Sequence, residues 1–344
     1  EGPARRGRVL LADGRTLEAD KVLLATGNEP PANLPGSEKV AGHPAWCANP
    51  WSDWETRLPP DGDVVLLGTG LTAVDSLLTL LAVGWNGKIH AISRNGLLPQ
   101  SHFKGIDDPE FPPAGVDVES LGLGELVELI ESHCLRLRNA GHNPAMVVDK
   151  LRPHSQRIWQ GFELAERRQF IARYAARWNV VRHRIAPSVH QQVTQALESG
   201  KLHVVRASIT GIAPANTKIA VNLRDGEGAP FALEAGLAIN CTGPHTRFSA
   251  TRSTLLRNLL RRGLVSADDL DMGLRVHSDF AVVDGAGERS PFLFAIGPLL
   301  RGTLWETIAV PELRGQAWQV AQSLLGSSPI FPTETDEVVL EYQI

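Results

Sequence analysis

The 344-residue chain carries 34 Lys and Arg against 38 Asp and Glu, a formal net charge of −4, with 43% hydrophobic and 21% charged residues. That balance is ordinary for a globular chain of about two to three domains. Without a basic stripe, nucleic acid is excluded as an expected partner. No apolar run approaches the roughly 20 residues of a membrane span, so no membrane partner is expected either. Cys47, Cys134 and Cys241 make neither a C-x-x-C pair nor a zinc ladder, and no metal site is expected. The start lacks the apolar core of a signal peptide, and the chain reads as cytoplasmic.

In chain order, residues 8–27 read as strand, Asp13-Gly14 turn, strand, and a further apolar strand closed by Thr26-Gly27. Asp-Gly between alternating apolar residues is a hairpin signal. Gly42-His43-Pro44-Ala45-Trp46 follows, with His43 read first as a linker residue.

Asp63-Val-Val-Leu-Leu67 is a short apolar strand of the kind buried on both faces of a parallel sheet. Gly68-Thr69-Gly70-Leu71-Thr72-Ala73-Val74-Asp75 comes next, and an apolar helix continues over 76–83. This is the G-x-G-x-x-G/A dinucleotide fingerprint between a strand and a helix. Gly68 permits the tight turn, Gly70 lets backbone approach a pyrophosphate, and Ala73 lets helix and strand pack closely. The phosphates would meet unpaired N–H groups at the helix start. The next strand, Lys88-Ile-His-Ala-Ile92, ends in Ser93-Arg94, where an NAD site usually carries an acid. An Arg there suits the 2′-phosphate of NADP.

Residues 105–199 read as a helical insertion capping the nicotinamide side or shaping a substrate cavity. Helical spacing runs over 121–138, 162–178 and 189–197, punctuated by Pro112-Pro113, Pro144 and Pro153. His154, His183 and His190 read as solvated or hydrogen-bonded surface residues. The eight tryptophans read as filling cores and seams.

A second copy of the opening pattern follows. Ile219-Ala-Val-Asn-Leu-Arg-Asp-Gly226 leads through Phe231-Ala-Leu-Glu-Ala235 to Leu237-Ala-Ile-Asn-Cys-Thr242-Gly243. The shared Asp-Gly turn, Leu-Glu-Ala step and Thr-Gly end indicate duplication.

With these pieces in order, the chain resembles the two-dinucleotide-domain flavoproteins, which include flavin monooxygenases and pyridine-nucleotide reductases. It is similar in particular to the bacterial FAD/NAD(P)-binding proteins of the YdhS type. Leu67–Asp75, Ser93-Arg-Asn-Gly-Leu-Leu-Pro99, Trp178-Asn-Val-Val-Arg-His-Arg184 and Phe294-Ala-Ile-Gly-Pro-Leu-Leu-Arg-Gly-Thr-Leu-Trp-Glu-Thr-Ile-Ala-Val-Pro-Glu-Leu-Arg314 carry that resemblance. It implies an α/β fold in which a Rossmann-like NADP domain is inserted into an incomplete FAD-binding Rossmann-like domain. The implied boundaries are 1–36 and 237–330 for the FAD part, 60–104 and 200–236 for the NADP part, 105–199 for the helical insertion and 331–344 for a tail. The opening strand, G-x-G-x-x-G and helix of the FAD part, on the order of 100 residues, are expected to be missing from the front.

The resemblance implies FAD and NADP as cofactors. Thr26, Gly27, Thr242 and Gly243 would close the strands, and Gly297 and Pro298 would approach the FAD pyrophosphate. Thr303, Leu304, Trp305, Glu306 and Thr307 would lie near the isoalloxazine; Glu306 and Thr307 would stand nearest the ring, and no catalytic residue is assigned. Thr69, Thr72, Asp75 and Ser93 join Gly68, Gly70, Ala73 and Arg94 on the NADP side. Pro298 stands where related flavoproteins usually have Asp. The implied activity passes hydride from NADPH to FAD and then to oxygen, hydroxylating a small organic substrate, or to another acceptor. Without C-x-x-C, electron transfer to a disulfide is excluded. An alternative is a non-catalytic NADP-binding fragment that needs the missing half, from a homodimer or another chain.

Overall fold

The computed structural model describes residues 7–60, 62–103 and 110–325; the expected tail 331–344 and residues 105–109 of the expected insertion lie outside the described residues. The first strands are β1 (Gly7–Leu10), β2 (Thr16–Ala19), β3 (Val22–Leu24), β4 (Trp46–Cys47) and β5 (Val64–Leu67). Helix α1 (Leu71–Ala82) and β6 (Ile89–Ser93) follow. The helical stretch holds α2 (Leu123–Asn139), α3 (Met146–Leu151), α4 (Ser155–Gly161), α5 (Leu164–Arg173), α6 (Ala175–Arg182) and α7 (Pro187–Glu198). Then come β7 (Leu202–Arg206), β8 (Ser208–Ala215), β9 (Lys218–Arg224), β10 (Pro230–Ala235) and β11 (Leu237–Ile239). The last elements are α8 (Thr254–Arg261), β12 (Ala281–Val283), β13 (Arg289–Ala295), α9 (Arg301–Leu304) and α10 (Val310–Leu324). They form two compact units: unit 1 is Glu1–Asn28 with Thr246–Ile344, and unit 2 is Glu29–His245.

Unit 2 is built on a five-stranded sheet in the order β4-β11-β5-β6-β7, every neighbour parallel. Side chains alternate between its faces along each strand. Val64 and Leu66 of β5 enter a core shared with Ala73, Val74, Leu77 and Leu80 of α1 and with α7. Val65 and Leu67 enter a second core under the antiparallel sheet β10-β9-β8. With both faces covered, the four β5 side chains are each 0% exposed, a burial worth about 1.5–3 kcal/mol per side chain. The buried α1 positions recur at helical spacing, so one stripe of the helix fills the first core.

Two expectations about elements need adjustment. The helix expected over 162–178 is two helices, α5 and α6, separated at Tyr174. At the break Phe170 packs edge-on against Trp159 (5.9 Å) and Trp178 (6.2 Å), contacts that helical periodicity cannot foresee. Strand β11, expected to mark the return to the first domain, is hydrogen-bonded between β4 and β5 in unit 2. Its three residues are wholly buried there, as an apolar strand paired on both edges should be.

In unit 1, β1 and β2 form an antiparallel hairpin whose turn carries Gly14 at φ 84°. A three-stranded sheet runs β12-β13-β3, with β3 parallel to β13. The core here joins β3, β12 and β13 to residues of α8, α9 and α10. Both copies of the repeat are therefore a hairpin that runs into a parallel strand: β1-β2-β3 in unit 1, and β9-β10-β11 in unit 2. In the second hairpin turn the left-handed position belongs to Gly228 (φ 90°).

Candidate functional site

The fingerprint turn follows β5 directly. The Gly68 amide donates to Ile92 O at 2.8 Å, tying the turn to β6. Gly68 has φ 128°, and a Cβ there would stand 2.3 Å from Cys241 O, at the end of β11. Only glycine fits, because both the backbone conformation and the adjacent chain forbid a side chain. Gly70 differs: it caps α1 in an extended conformation, and a Cβ on it would meet nothing within 4 Å. Ala73 is 3% exposed, packed where helix meets sheet. Gly70 O accepts from the Ala73 and Val74 amides, while the Leu71 and Thr72 amides find no acceptor among the described residues. Two backbone donors thus stand at the open, electropositive end of a 12-residue helix.

Thr69 and Ser93 are engaged with each other. Thr69 Oγ1 lies 2.9 Å from Ser93 Oγ and 2.5 Å from Leu97 O. Ser93 Oγ in turn accepts from the Gly96 amide at 3.0 Å. Each hydroxyl has one proton, so Ser93 donates to Thr69 and Thr69 to Leu97 O, and the chain of bonds locks the turn after β5 to the loop after β6. Arg94 is exposed.

Thr72 and Asp75 face elsewhere. With Ser76 and Thr79 they form one wall of a cleft of about 200 Å³, opposed by residues 50–55 after β4. Trp51 is 71% exposed at this cleft and Trp54 is buried. Partial desolvation pushes the Asp75 carboxyl above its usual range. That opposing wall is the string Pro50-Trp-Ser-Asp-Trp-Glu55, which no motif in the sequence marks out. Just behind it, Ser76 Oγ lies 3.5 Å from the buried Cys241 Sγ. Burial pushes the Cys241 thiol up to about 12 and the Cys47 thiol upward as well, so neither is a reactive thiolate at neutral pH. Thr242 Oγ1 donates to Asn240 Oδ1 at 2.7 Å, and Gly243 turns the chain at φ 87°.

In unit 1 the parallel pair β3 and β13 ends in two left-handed glycines, Gly27 (φ 70°) after Thr26 and Gly297 (φ 79°) before Pro298. Ile296 N donates to Leu24 O at 3.0 Å, holding the two strand ends together. The Gly297 amide is used internally, donating to Gln316 Oε1 of α10 at 2.8 Å. Thr303 Oγ1 donates to Leu274 O at 3.0 Å, and Leu304 and Trp305 are buried. Trp305 takes a left-handed φ of 60° and receives the Arg301 guanidinium over its ring at 5.2 Å. Glu306 is 3% and Thr307 0% exposed. Thr307 Oγ1 and Gln316 Nε2 are buried with no hydrogen-bond partner. Buried polar groups rarely remain unpaired, so each calls for a ligand, a water or a movement. Gln316, 19 residues from Gly297, is linked to it only by the fold.

Two of the histidines noted in the sequence, His43 and His154, are held by hydrogen bonds. His43 sits between the Ala45 amide (3.2 Å) and Asn216 O (3.0 Å), and His154 Nδ1 meets Glu119 Oε1 at 2.5 Å. Among the described residues there is no group of three His, Cys, Asp or Glu placed to hold a metal, and no helix long and apolar enough to cross a membrane.

No family model and no curated protein matches the sequence. Solved structures that resemble the chain include L-lysine 6-monooxygenase from Pseudomonas syringae, at TM-score 0.60 and 18% identity over 93% of this chain and 67% of that one. Ornithine N-hydroxylase KtzI from Kutzneria sp. 744 aligns at TM-score 0.54 and 14% identity over 93% of this chain and 67% of that one. Thioredoxin reductase from Lactococcus lactis aligns at TM-score 0.50 and 12% identity over 95% of this chain and 71% of that one. The chain thus spans about two thirds of the length of the two hydroxylases. At these identities the likeness establishes the fold alone: a mixed α/β chain built on a parallel, Rossmann-type sheet.

Proposed function

We propose that the chain is the nucleotide-binding body of a flavin-dependent NADPH oxidoreductase of the two-dinucleotide-domain kind, similar to the YdhS-type proteins. The observation that carries this reading is the fingerprint turn: position 68 admits only glycine, because a Cβ there would stand 2.3 Å from Cys241 O, while Gly70 is left open before a helix end with free amides. The strand order supports it, because β5 lies where the sheet's connections reverse direction, between β11 and β6. Open α/β sheets bind ligands at such a switch point, outside the carboxyl ends of the strands.

In this reading Gly68, Gly70 and the Leu71 and Thr72 amides hold the NADP pyrophosphate. Arg94 takes the 2′-phosphate. Thr69 and Ser93 act as positioning residues that keep the two loops in place. Thr72 and Asp75 face the other half of the dinucleotide across the cleft. In unit 1 the glycine-ended strands and the buried Thr307 and Gln316 fit a bound FAD: its polar edge would relieve two orphaned groups. FAD, when bound, supplies the redox chemistry, taking hydride from NADPH and delivering electrons to oxygen, with hydroxylation of a small organic substrate, or to another acceptor. The lysine and ornithine hydroxylases among the structural neighbours favour oxygen.

A second reading is favoured by one feature of unit 1. Among the described residues β3 pairs on one edge only, and its Leu23 is 40% exposed. An unpaired parallel edge accepts another strand, so FAD binding would then need a second copy or another chain. The deciding experiment mixes purified protein with FAD, removes the excess by gel filtration and adds NADPH without oxygen. Retained yellow colour that bleaches supports the enzyme reading. Colourless protein that still binds NADPH supports the second reading, and protein that binds neither sinks both.

A further inference from the structure

Arg206, the last residue of β7, stands beside the end of β6, and nothing in the fingerprint points to it. Ser93 and Arg206 are register partners in the parallel β6–β7 pair, and the Ala207 amide donates to Ser93 O at 3.0 Å. Paired residues on neighbouring strands project to the same face. Ser93 projects toward the fingerprint turn, since its hydroxyl meets Thr69 at 2.9 Å, so Arg206 lies on that face too. The stem of Arg206 runs along the Gly96 turn: a Cβ built on Gly96 would stand 3.4 Å from Arg206 Cβ and 3.9 Å from its Cγ. Gly96 closes the very turn that begins with Arg94.

The two guanidiniums are therefore presented from neighbouring strand ends, both exposed and neither in an ion pair among the described residues. No Asp or Glu occurs at 93–103 or 201–210 to neutralise them. A 2′-phosphate carries close to two negative charges at neutral pH, and Arg94 offers one positive charge. Ser93 Oγ is already committed to Thr69 and Gly96.

We infer that Arg206 is a specificity-determining residue, the second cation of a two-arginine clamp that selects a 2′-phosphorylated adenosine. This rests on the NADP reading above and adds a residue to it. Arginine suits the task because its planar fork pairs with phosphate oxygens and its charge does not titrate.

The test titrates the chain with 2′,5′-ADP and with 5′-AMP, which differ only in the phosphate at issue. Wild type should prefer 2′,5′-ADP. Arg206→Ala and Arg206→Gln, which keeps the stem over Gly96, should each weaken 2′,5′-ADP by about tenfold while leaving 5′-AMP unchanged. Arg177→Ala on α6, an exposed residue with the same charge, should change neither. Loss of both ligands together, or an unaltered ratio in both Arg206 variants, overturns the inference. A wild type that binds the two nucleotides equally overturns it while leaving dinucleotide binding intact; one that binds neither removes the NADP reading with it.

Discussion

Gly68 and Cys241 meet so closely that a single added carbon on Gly68 would lie 2.3 Å from the Cys241 carbonyl oxygen. The contact joins the turn after β5 to the end of β11, two strands that neighbour each other in the sheet although some 170 residues apart in sequence. The same contact separates the two fingerprint glycines into different roles.

Gly68→Ala should damage the fold itself. Its φ of 128° is strained for any L side chain, and the Cys241 carbonyl must move as well. The expected cost is at least ~1–3 kcal/mol, read as a lowered melting temperature, with NADP binding lost. Gly70→Ala should leave the stability within about 0.5 kcal/mol of wild type, and the melting temperature nearly unmoved, since the site is open and its φ is −81°. Its effect should fall on NADP affinity alone. Equal melting temperatures for both variants would contradict this division.

Ser93→Ala removes the acceptor for the Gly96 amide and the donor to Thr69. We expect a loss of ~1–3 kcal/mol in stability, because a partly buried hydroxyl chain is broken in the middle. NADP affinity should fall with it, as the loop bearing Arg94 loosens. Amide exchange across residues 93–98 reads this out: faster exchange there and nowhere else is the expected result, and unchanged protection would refute the proposed lock.

Thr307→Val tests the fit of FAD to unit 1. The hydroxyl is fully buried without a partner, so a methyl in its place should hold or raise the melting temperature of flavin-free protein. The relief is worth ~1–3 kcal/mol at most. In the same variant FAD should be retained less well. A variant that gains stability and keeps FAD as tightly as wild type would show that this hydroxyl does not meet the cofactor.

Asp279 gives unit 1 an acid-sensitive contact. Burial alone would raise its pKa, but Arg289, with Nε at 2.8 Å, and the Ala281 amide at 3.1 Å hold it below the ordinary carboxylate range. A depressed acid contributes stability above its unfolded pKa of about 3.9 and loses it as pH falls through the folded value. Arg289→Gln should therefore melt below wild type at pH 7, and the gap should narrow as pH drops below about 3.9. The pair is partly exposed, so the pH-dependent part should stay within roughly 1 kcal/mol. A gap constant across pH would mean that packing, including the Arg289 contact with Phe294, accounts for all of it.

What could be read from the sequence was local. Val64–Leu67 is apolar at every position, which marks a strand buried on both faces, and the Gly-Thr-Gly string between it and an apolar helix marks a tight turn into that helix. Asp-Gly between alternating apolar residues marked both hairpins. Each of these signals lies within about 20 residues, the range over which periodicity and turn chemistry act.

Tertiary structure decided the rest. Which strand lies beside β5 depends on long-range pairing, so the sequence could not assign β11 to the sheet of unit 2. Thr69 and Ser93, expected beside the cofactor, engage each other because two loops converge across 24 residues. Gln316 reaches Gly297, and Arg206 reaches the turn of Gly96, through contacts that leave no spacing in the chain. A short motif dictates its own backbone; the groups that surround it are chosen by the packing of strands distant in sequence, where burial and hydrogen-bond satisfaction set the outcome.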